Sequence, residues 1–402
     1  MRYGTVAIGE ICKYITSGGT PRSNIKEYYF PPEVPWLKTK EVNYFRIYET
    51  ETYISKEGLQ KSSAKLIPEN SIIVAMYGQG DTAGRVAINK IPLTTNQACC
   101  NLIIDPQKAD YEYVYYAMVT LYEKIVSLKN GGAQPNLNAK IIREIEIPFP
   151  DIETQHRIAD ILSAYDDLIE NNKKQIKLLE EAAQRLYKEW FVDLHFPGYE
   201  NTKIIDGVPE GWFYRRVGDF GEVVTGKTPS TSKSDHYGKD VPFVTIPDMQ
   251  GNVFPLKTEK MLSQIGADSQ QNKYLPTDSV LVSCIATVGL VSIVKEVSQT
   301  NQQINAVILE DKAELYFFYE TMKRIKVLLE GVGSNGATMT NVNKNKFSNI
   351  EVLYPGIKLV LNFNSFCEPL FNQIYLLSKS NLKLQCMRDE LLVKIMNRDI
   401  EV

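Results

Sequence analysis

The chain repeats itself once. Gly18-Gly19-Thr20-Pro21 is answered by Gly226-Lys227-Thr228-Pro229, 208 residues later, and Pro35-Trp36-Leu37 by Pro242-Phe243-Val244. Pro68-Glu69-Asn70-Ser71 leads into Ile72-Ile73-Val74 as Pro276-Thr277-Asp278-Ser279 leads into Val280-Leu281-Val282. Thr95-Asn96-Gln97 returns as Thr300-Asn301-Gln302, and Asn136-Leu137-Asn138 as Asn341-Val342-Asn343, both 205 residues on. Motifs recurring in one order across the whole chain call for two copies of one fold. At 402 residues the chain is also longer than a single hydrophobic core commonly organises.

Each half reads as mixed and β-rich. Short β-branched and aromatic runs, punctuated by Gly, Pro and Asn, predict strands at 71–77, 84–89 and 98–104. Apolar residues at three-to-four spacing predict a helix over 111–128 and its counterpart over 313–329. Each half closes on an apolar stretch that proline terminates, 145–150 and 350–355.

Beyond each of these prolines runs a heptad stripe. Steps of four and three pick out Ile158, Leu162, Tyr165, Ile169, Asn172, Ile176 and Leu179, continuing through Ala183, Leu186 and Trp190. The repeat offset carries this stripe onto Phe363, Cys367, Leu370, Ile374, Leu377, Asn381, Leu384, Arg388, Leu391 and Ile395. Both are coiled-coil seams with one central asparagine. A helix over 153–191 would be on the order of 55–60 Å long at 1.5 Å per residue, and one with a single apolar stripe needs a partner. Its own repeat is the obvious one. A globular domain lies between the two, which allows an antiparallel pair in which Asn172 and Asn381 meet and fix register.

The expected architecture is α+β: two similar β-rich domains separated by two long helices packed as an antiparallel coiled coil, with a pseudo-twofold internal repeat. The boundaries read as a first globular domain at 1–150, a helix at 151–192, a second domain with its lead-in at 193–357, and a second helix at 358–402. Such a rod sets the distance between two similar surfaces. Duplex DNA suits a ruler of this kind, since sites about one turn (~34 Å) apart face the same side.

Net charge is −3, with 44% hydrophobic and 23% charged residues, an ordinary balance for a globular chain. The acidity is local: 151–200 carries 6 Lys+Arg against 11 Asp+Glu, while 1–150 carries 17 against 15 and 201–360 carries 17 against 17. Neutral domains give no basic footprint by themselves, so tight DNA binding would need help from another subunit. No uncharged apolar run suggests a membrane span or signal peptide. Six cysteines without CxxC spacing read as buried thiols of a reducing, cytoplasmic compartment.

One phosphate-loop match, Gly221 to Thr228, fits GxxxxGK[ST] but runs into Pro229 and a turn-forming stretch instead of a helix, and the first half lacks its lysine. It reads as a tight turn. The three histidines, 156, 195 and 236, have no partners at metal-ligand spacing, and no methyltransferase motif is present. The pairs Asp166-Asp167 and Glu180-Glu181 read as a solvated helix face. Polar loops are better candidates, because Asn and Gln can bond adenine bidentately, Arg can bond guanine, and glycine lets backbone approach phosphate. Candidate DNA contacts are Lys38, Lys40, Gln79, Asp81, Thr82, Arg85, Gln134, Asn136 and Asn138 in the first half. In the second half they are Lys227, Thr287, Asn335, Thr338, Asn341 and Asn343. Thr95-Asn96-Gln97, unchanged between halves, is assigned to structure.

Together these features resemble the specificity subunit of type I restriction-modification enzymes. The resemblance rests on Gly-x-Thr-Pro near each half's start, on Pro35-Trp36, and on Ile147-Pro148-Phe149-Pro150 followed by Gln155-His156-Arg157-Ile158-Ala159, Leu162 and Asp166. Thr154 stands where the family pattern has Glu, and the second copy, Ile357 to Leu361, lacks the Gln-x-Arg signature. The resemblance implies two target-recognition domains, each binding one part of a bipartite, asymmetric double-stranded DNA sequence. It implies that the helical pair sets their spacing and docks two modification subunits, with restriction subunits beyond them. The chain itself would do no chemistry and bind no cofactor; S-adenosylmethionine, ATP and Mg would be held by the partner subunits. The competing expectations are a methyltransferase with an unrecognised site and a non-catalytic scaffold that joins proteins through its coiled coil.

Overall fold

The computed structural model describes residues 3–78, 80–129, 136–326, 342–400 and 402. They form two compact units, Met1–Leu168 with Leu384–Val402, and Ile169–Lys383. Each unit holds one β-rich head and a part of both long helices, Ile152–Phe191 and Ile357–Asn397. The division therefore runs through the helices, not along their ends. The reason is packing: each head takes apolar side chains of both helices into its own core.

In the first unit Gly4–Ala7 pairs antiparallel with Glu146–Phe149 at the base of the head. Above it lies a five-stranded sheet ordered Cys12–Ser17, Cys99–Ile104, Ile72–Ala75, Val86–Asn89 and Arg46–Ile47. A second sheet orders Tyr53–Ile54, Val34–Leu37, Leu93–Thr95 and Leu66–Ile67. The central strands are buried along their whole length, Asn89 and Asn101 included. One side of the main sheet shares a core with Tyr113, Val114, Ala117 and Met118 and with Ile158, Leu162, Leu392 and Ile395 of the long helices. The predicted helix at 111–128 is broken at Leu121 into Tyr111–Thr120 and Tyr122–Ser127. Asp110 caps the first piece by accepting from the Tyr113 N–H at 2.8 Å.

The second unit repeats the plan. Phe213–Arg216 pairs with Glu351–Tyr354 at the base. The main sheet runs Gly221–Thr225, Ile304–Leu309, Val280–Ser283 and Val291–Ile293, and the smaller one Lys260–Leu262, Tyr237–Val244 and Gln299–Thr300. The helix Leu315–Arg324 covers the main sheet. Its core takes in Ala183, Tyr187, Trp190 and Phe191 of the first long helix and Phe363, Cys367, Phe371 and Ile374 of the second.

Within the second unit the helices run antiparallel, since the Trp190 ring lies 6.0 Å from Phe363 while Asn172 donates to the Asn381 side-chain oxygen at 2.9 Å. Within the first unit Asp166 meets Arg388. Of the seam residues, Ile158, Leu162, Ile169, Ile374 and Asn381 are buried, and Tyr165, Asn172, Ile176, Leu179, Leu370, Leu377, Leu384 and Leu391 are half-buried. The second stripe departs from strict heptad spacing: Phe371 and Leu392 are buried where the heptad pattern predicts Leu370 and Leu391. Phe371 turns to the head, where Tyr316 stacks on it at 4.3 Å. A helix packed on two sides buries a wider stripe than a coiled-coil seam.

Candidate DNA interface

Each head is held by a staple that the sequence repeat encodes. The N–H groups of Gly19 and Lys227 donate to the carbonyls of Thr95 (2.8 Å) and Thr300 (2.9 Å). The Thr20 hydroxyl donates to Gln97, and the Thr228 hydroxyl to Gln302 at 2.6 Å. A Cβ at Gly18 would strike the backbone oxygens of Thr95 and Asn96, and one at Gly226 those of Thr300 and Asn301, so only glycine fits. Tyr29 and Tyr237 then donate to the carbonyls of Pro21 (2.8 Å) and Pro229 (3.0 Å). The Thr-Asn-Gln triplet is thus a structural anchor. Gly221–Thr225 is a strand, and no helix begins at Lys227, which leaves the phosphate-loop match without its helix.

A second repeated feature carries most of the polar candidates. The strands Ile72–Ala75 and Val86–Asn89 are joined by a hairpin that closes through the Gly84 N–H onto the Ala75 carbonyl at 2.8 Å. In the second head the Gly289 N–H closes onto the Ser283 carbonyl at 2.9 Å. Both glycines have positive φ, 95° and 86°, and the residues before them, Ala83 and Val288, are buried. In the first head Arg85 donates to Asn43 at 2.8 Å and pairs with Asp81 at 2.6 Å, which holds the Asp81 carboxyl below its usual range. The Tyr122 hydroxyl donates to the Asp81 carbonyl at 2.7 Å, and the Leu137 N–H to the Met76 carbonyl at 3.0 Å. One edge of the sheet thereby gathers Asp81, Thr82, Arg85 and half-buried Asn136. In the second head the Val342 N–H returns to the Cys284 carbonyl at 3.0 Å, near the exposed Thr287.

Other candidates have different places. Asn138 and Asn343 are helix N-caps, accepting from the N–H groups of Ile141 and Lys346 at 2.9 Å. The Lys38 ammonium lies 5.3 Å from the centre of the Trp36 ring. Lys40 pairs with Glu51, whose carboxylate raises the ammonium pKa, and lines an open recess with Glu41 and Glu49. Three carboxylates around one lysine make a poor phosphate contact. The Lys227 side chain is exposed. Gln79, Gln134, Asn335, Thr338 and Asn341 lie outside the described residues.

The model of the type I restriction modification DNA specificity domain matches residues 2–181 and 209–358. The chain belongs to this family. It is 32% identical over 342 residues to the HindI specificity subunit of Haemophilus influenzae, covering 70% of this chain and 74% of that one. It is 28% identical over 408 residues to the MjaIX specificity subunit of Methanocaldococcus jannaschii, covering 98% and 92%. The crystal structure of a type I restriction-modification S subunit from M. genitalium has a similar fold, with TM-score 0.58 at 17% identity over 97% of this chain and 95% of that one.

In this specificity-domain chain the two matched segments each contain one staple and one hairpin. What sequence reasoning misses is how the heads hold the helices. Asp166 reads as solvated, yet it accepts from the Tyr116 hydroxyl at 2.5 Å and binds Arg388. Asp167 binds Arg46, which also pairs with Glu112 at 3.0 Å. Glu180 accepts from Lys323 at 3.2 Å. These partners lie far apart in sequence, so no spacing betrays them. Arg388, a charge within an apolar stripe, is the visible sign. Cys99, Cys100, Cys284 and Cys367 are buried as expected, whereas Cys386 is exposed. Among the described residues no His, Cys, Asp and Glu cluster could hold a metal ion, and no helix is long and apolar enough to cross a membrane.

Proposed function

We propose that this chain is the DNA sequence-specificity subunit of a type I restriction-modification enzyme, with each head binding one part of a bipartite, asymmetric target. The observation that carries this reading is the family match across both heads. The hairpins support it, because they keep their closing glycines while changing the side chains they present. A symmetric frame with unlike surfaces suits an asymmetric DNA sequence.

The helical pair sets the spacing of the heads and docks two modification subunits. Ile161, Leu168 and Leu178 of the first long helix, and Leu361, Phe366 and Leu376 of the second, are exposed, which suits a protein partner better than water. The chain performs no chemical step in this reading. S-adenosylmethionine, ATP and Mg belong to the modification and restriction subunits, and the assembly works in the cytoplasm. The test is fluorescence anisotropy of the chain assembled with its modification subunits, against duplexes selected from a random pool. Selection should yield one sequence in two parts with a fixed gap. Binding without sequence preference, or assembly with proteins but no DNA binding, would overturn the reading in favour of a scaffold.

A further inference from the structure

The hairpin of the first head is three residues longer than its counterpart, and it also differs in the charge it carries beside the closing glycine. Residues 82–84 and 287–289 correspond: a threonine, a buried aliphatic residue and a glycine at positive φ. The flanking positions do not. Asp81 and Arg85 in the first head stand where the second has Ala286 and Leu290. The second, shorter hairpin closes through the equivalent glycine hydrogen bond with no charged pair beside it.

The pair also has a defined geometry. One guanidinium nitrogen of Arg85 is held by Asn43 at 2.8 Å and the other by Asp81 at 2.6 Å. Two of the five N–H donors are used this way, and three remain outside these two bonds. The Arg85 side chain is 22% exposed and that of Asp81 74%, so the pair lies at the surface of the edge. We propose that Arg85 is a guanine-reading residue of the first head, held in reading position by Asp81 and Asn43. This rests on the reading of the chain as a DNA-specificity subunit.

Three arguments favour a base over the other DNA groups. Guanine offers O6 and N7 as two in-plane acceptors in the major groove, which a planar guanidinium fork meets in a fixed geometry and a rotatable ammonium meets less rigidly. Adenine places a donor where guanine has O6, so the same fork is repelled there. Phosphate is the alternative anionic target, but an exposed carboxylate beside the guanidinium cancels the net charge that phosphate contact exploits. Holding the fork before binding removes the cost of ordering a long side chain, which is what specificity at one base pair needs.

The experiment uses the full chain assembled with its modification subunits and a duplex library varied one base pair at a time. Arg85→Ala should lower the preference for guanine at one base pair, in one half-site, on the order of 10–100-fold. The other half-site should be read as before, which also reports that the variant folds. Arg85→Lys should keep only part of that preference, with little change in binding to unrelated DNA. Asp81→Asn, which leaves the arginine in place but loosens it, should give a smaller loss at the same base pair. Uniform weakening on all sequences would mark a phosphate contact and overturn the proposal, as would an unchanged profile or loss in both half-sites. Failure of the unaltered assembly to select any sequence would instead overturn the underlying reading.

Discussion

In the first unit the apolar contact of the head with Ile158, Leu162, Leu392 and Ile395 of the long helices is bordered by charge: Arg388 binds Asp166, Tyr116 donates to the same carboxylate, and Arg46 bridges Glu112 and Asp167. In the second unit the corresponding junction is a cluster of rings. Phe363 lies 5.8, 6.0 and 5.1 Å from Tyr187, Trp190 and Phe191, Phe317 sits 5.0 Å from Phe191, and Tyr316 stacks on Phe371. One fold has thus solved one packing problem twice. Ring clusters give stability that salt barely touches, whereas ion pairs give orientation that depends on both partners being present.

The sharpest way to break the comparison is to remove a ring. Phe363 is fully buried, so Phe363→Ala should destabilise the second unit by about 3–5 kcal/mol, read by denaturant unfolding. The loss should be nearly the same at low and high salt. A strongly salt-dependent loss would mean that charge holds this junction too.

The next effect is on pH. Glu320 lies in the same cluster of elements with one carboxylate oxygen unpartnered. Burial raises its carboxyl to about 7, opposed by Lys323 and Arg324 and reinforced by Glu180. In the unfolded chain a glutamate ionises near ~4.3, so between these values the folded unit keeps a proton the unfolded chain has released. Its contribution is full below the unfolded value and is lost as pH rises to about 7, by about 3 kcal/mol. Glu320→Gln should flatten the stability profile of the second unit between pH 5 and 8 and raise stability at pH 8. The repeat offset places Tyr115 at this position in the first unit, which should lack the slope.

The smallest effect concerns the charged junction. Arg388→Ala leaves Asp166 without its guanidinium at a site where their side chains are 19% and 13% exposed. Full burial would cost more, so about 2 kcal/mol is expected for the first unit. The double variant with Asp166→Ala should recover part of that loss in a mutant cycle. Additive losses would show that the pair is not coupled.

The parts of this fold legible in the sequence are those written locally. The long helices show because a 40-residue stripe repeats every turn, and the strands at 72–75, 86–89 and 99–104 because they are mostly apolar, β-branched runs between turn residues. The staple is visible only as two unchanged motifs; that Gly18 packs on Thr95 needs the fold. Phe371 replaces Leu370 in the buried stripe because the head, 55 residues earlier at Tyr316, claims it. Asp166 looks solvated for the same reason, since Tyr116 and Arg388 reach it from 50 and 222 residues away. Asn138 and Asn343 share the amide chemistry of base-contacting residues, and only the helices beginning just after them show that they cap.

The staple and the hairpin divide the head into a place where mutation is forbidden and a place where it is free. At Gly18 and Gly226 any side chain collides with backbone, so nearly every substitution is lost with the fold. A strand away, Asp81 and Arg85 can become Ala286 and Leu290 while the turn still closes. Heritable variation is therefore funnelled towards the hairpin rims. If those rims read DNA as proposed, a lineage can drift from one target to another there without passing through an unfolded intermediate.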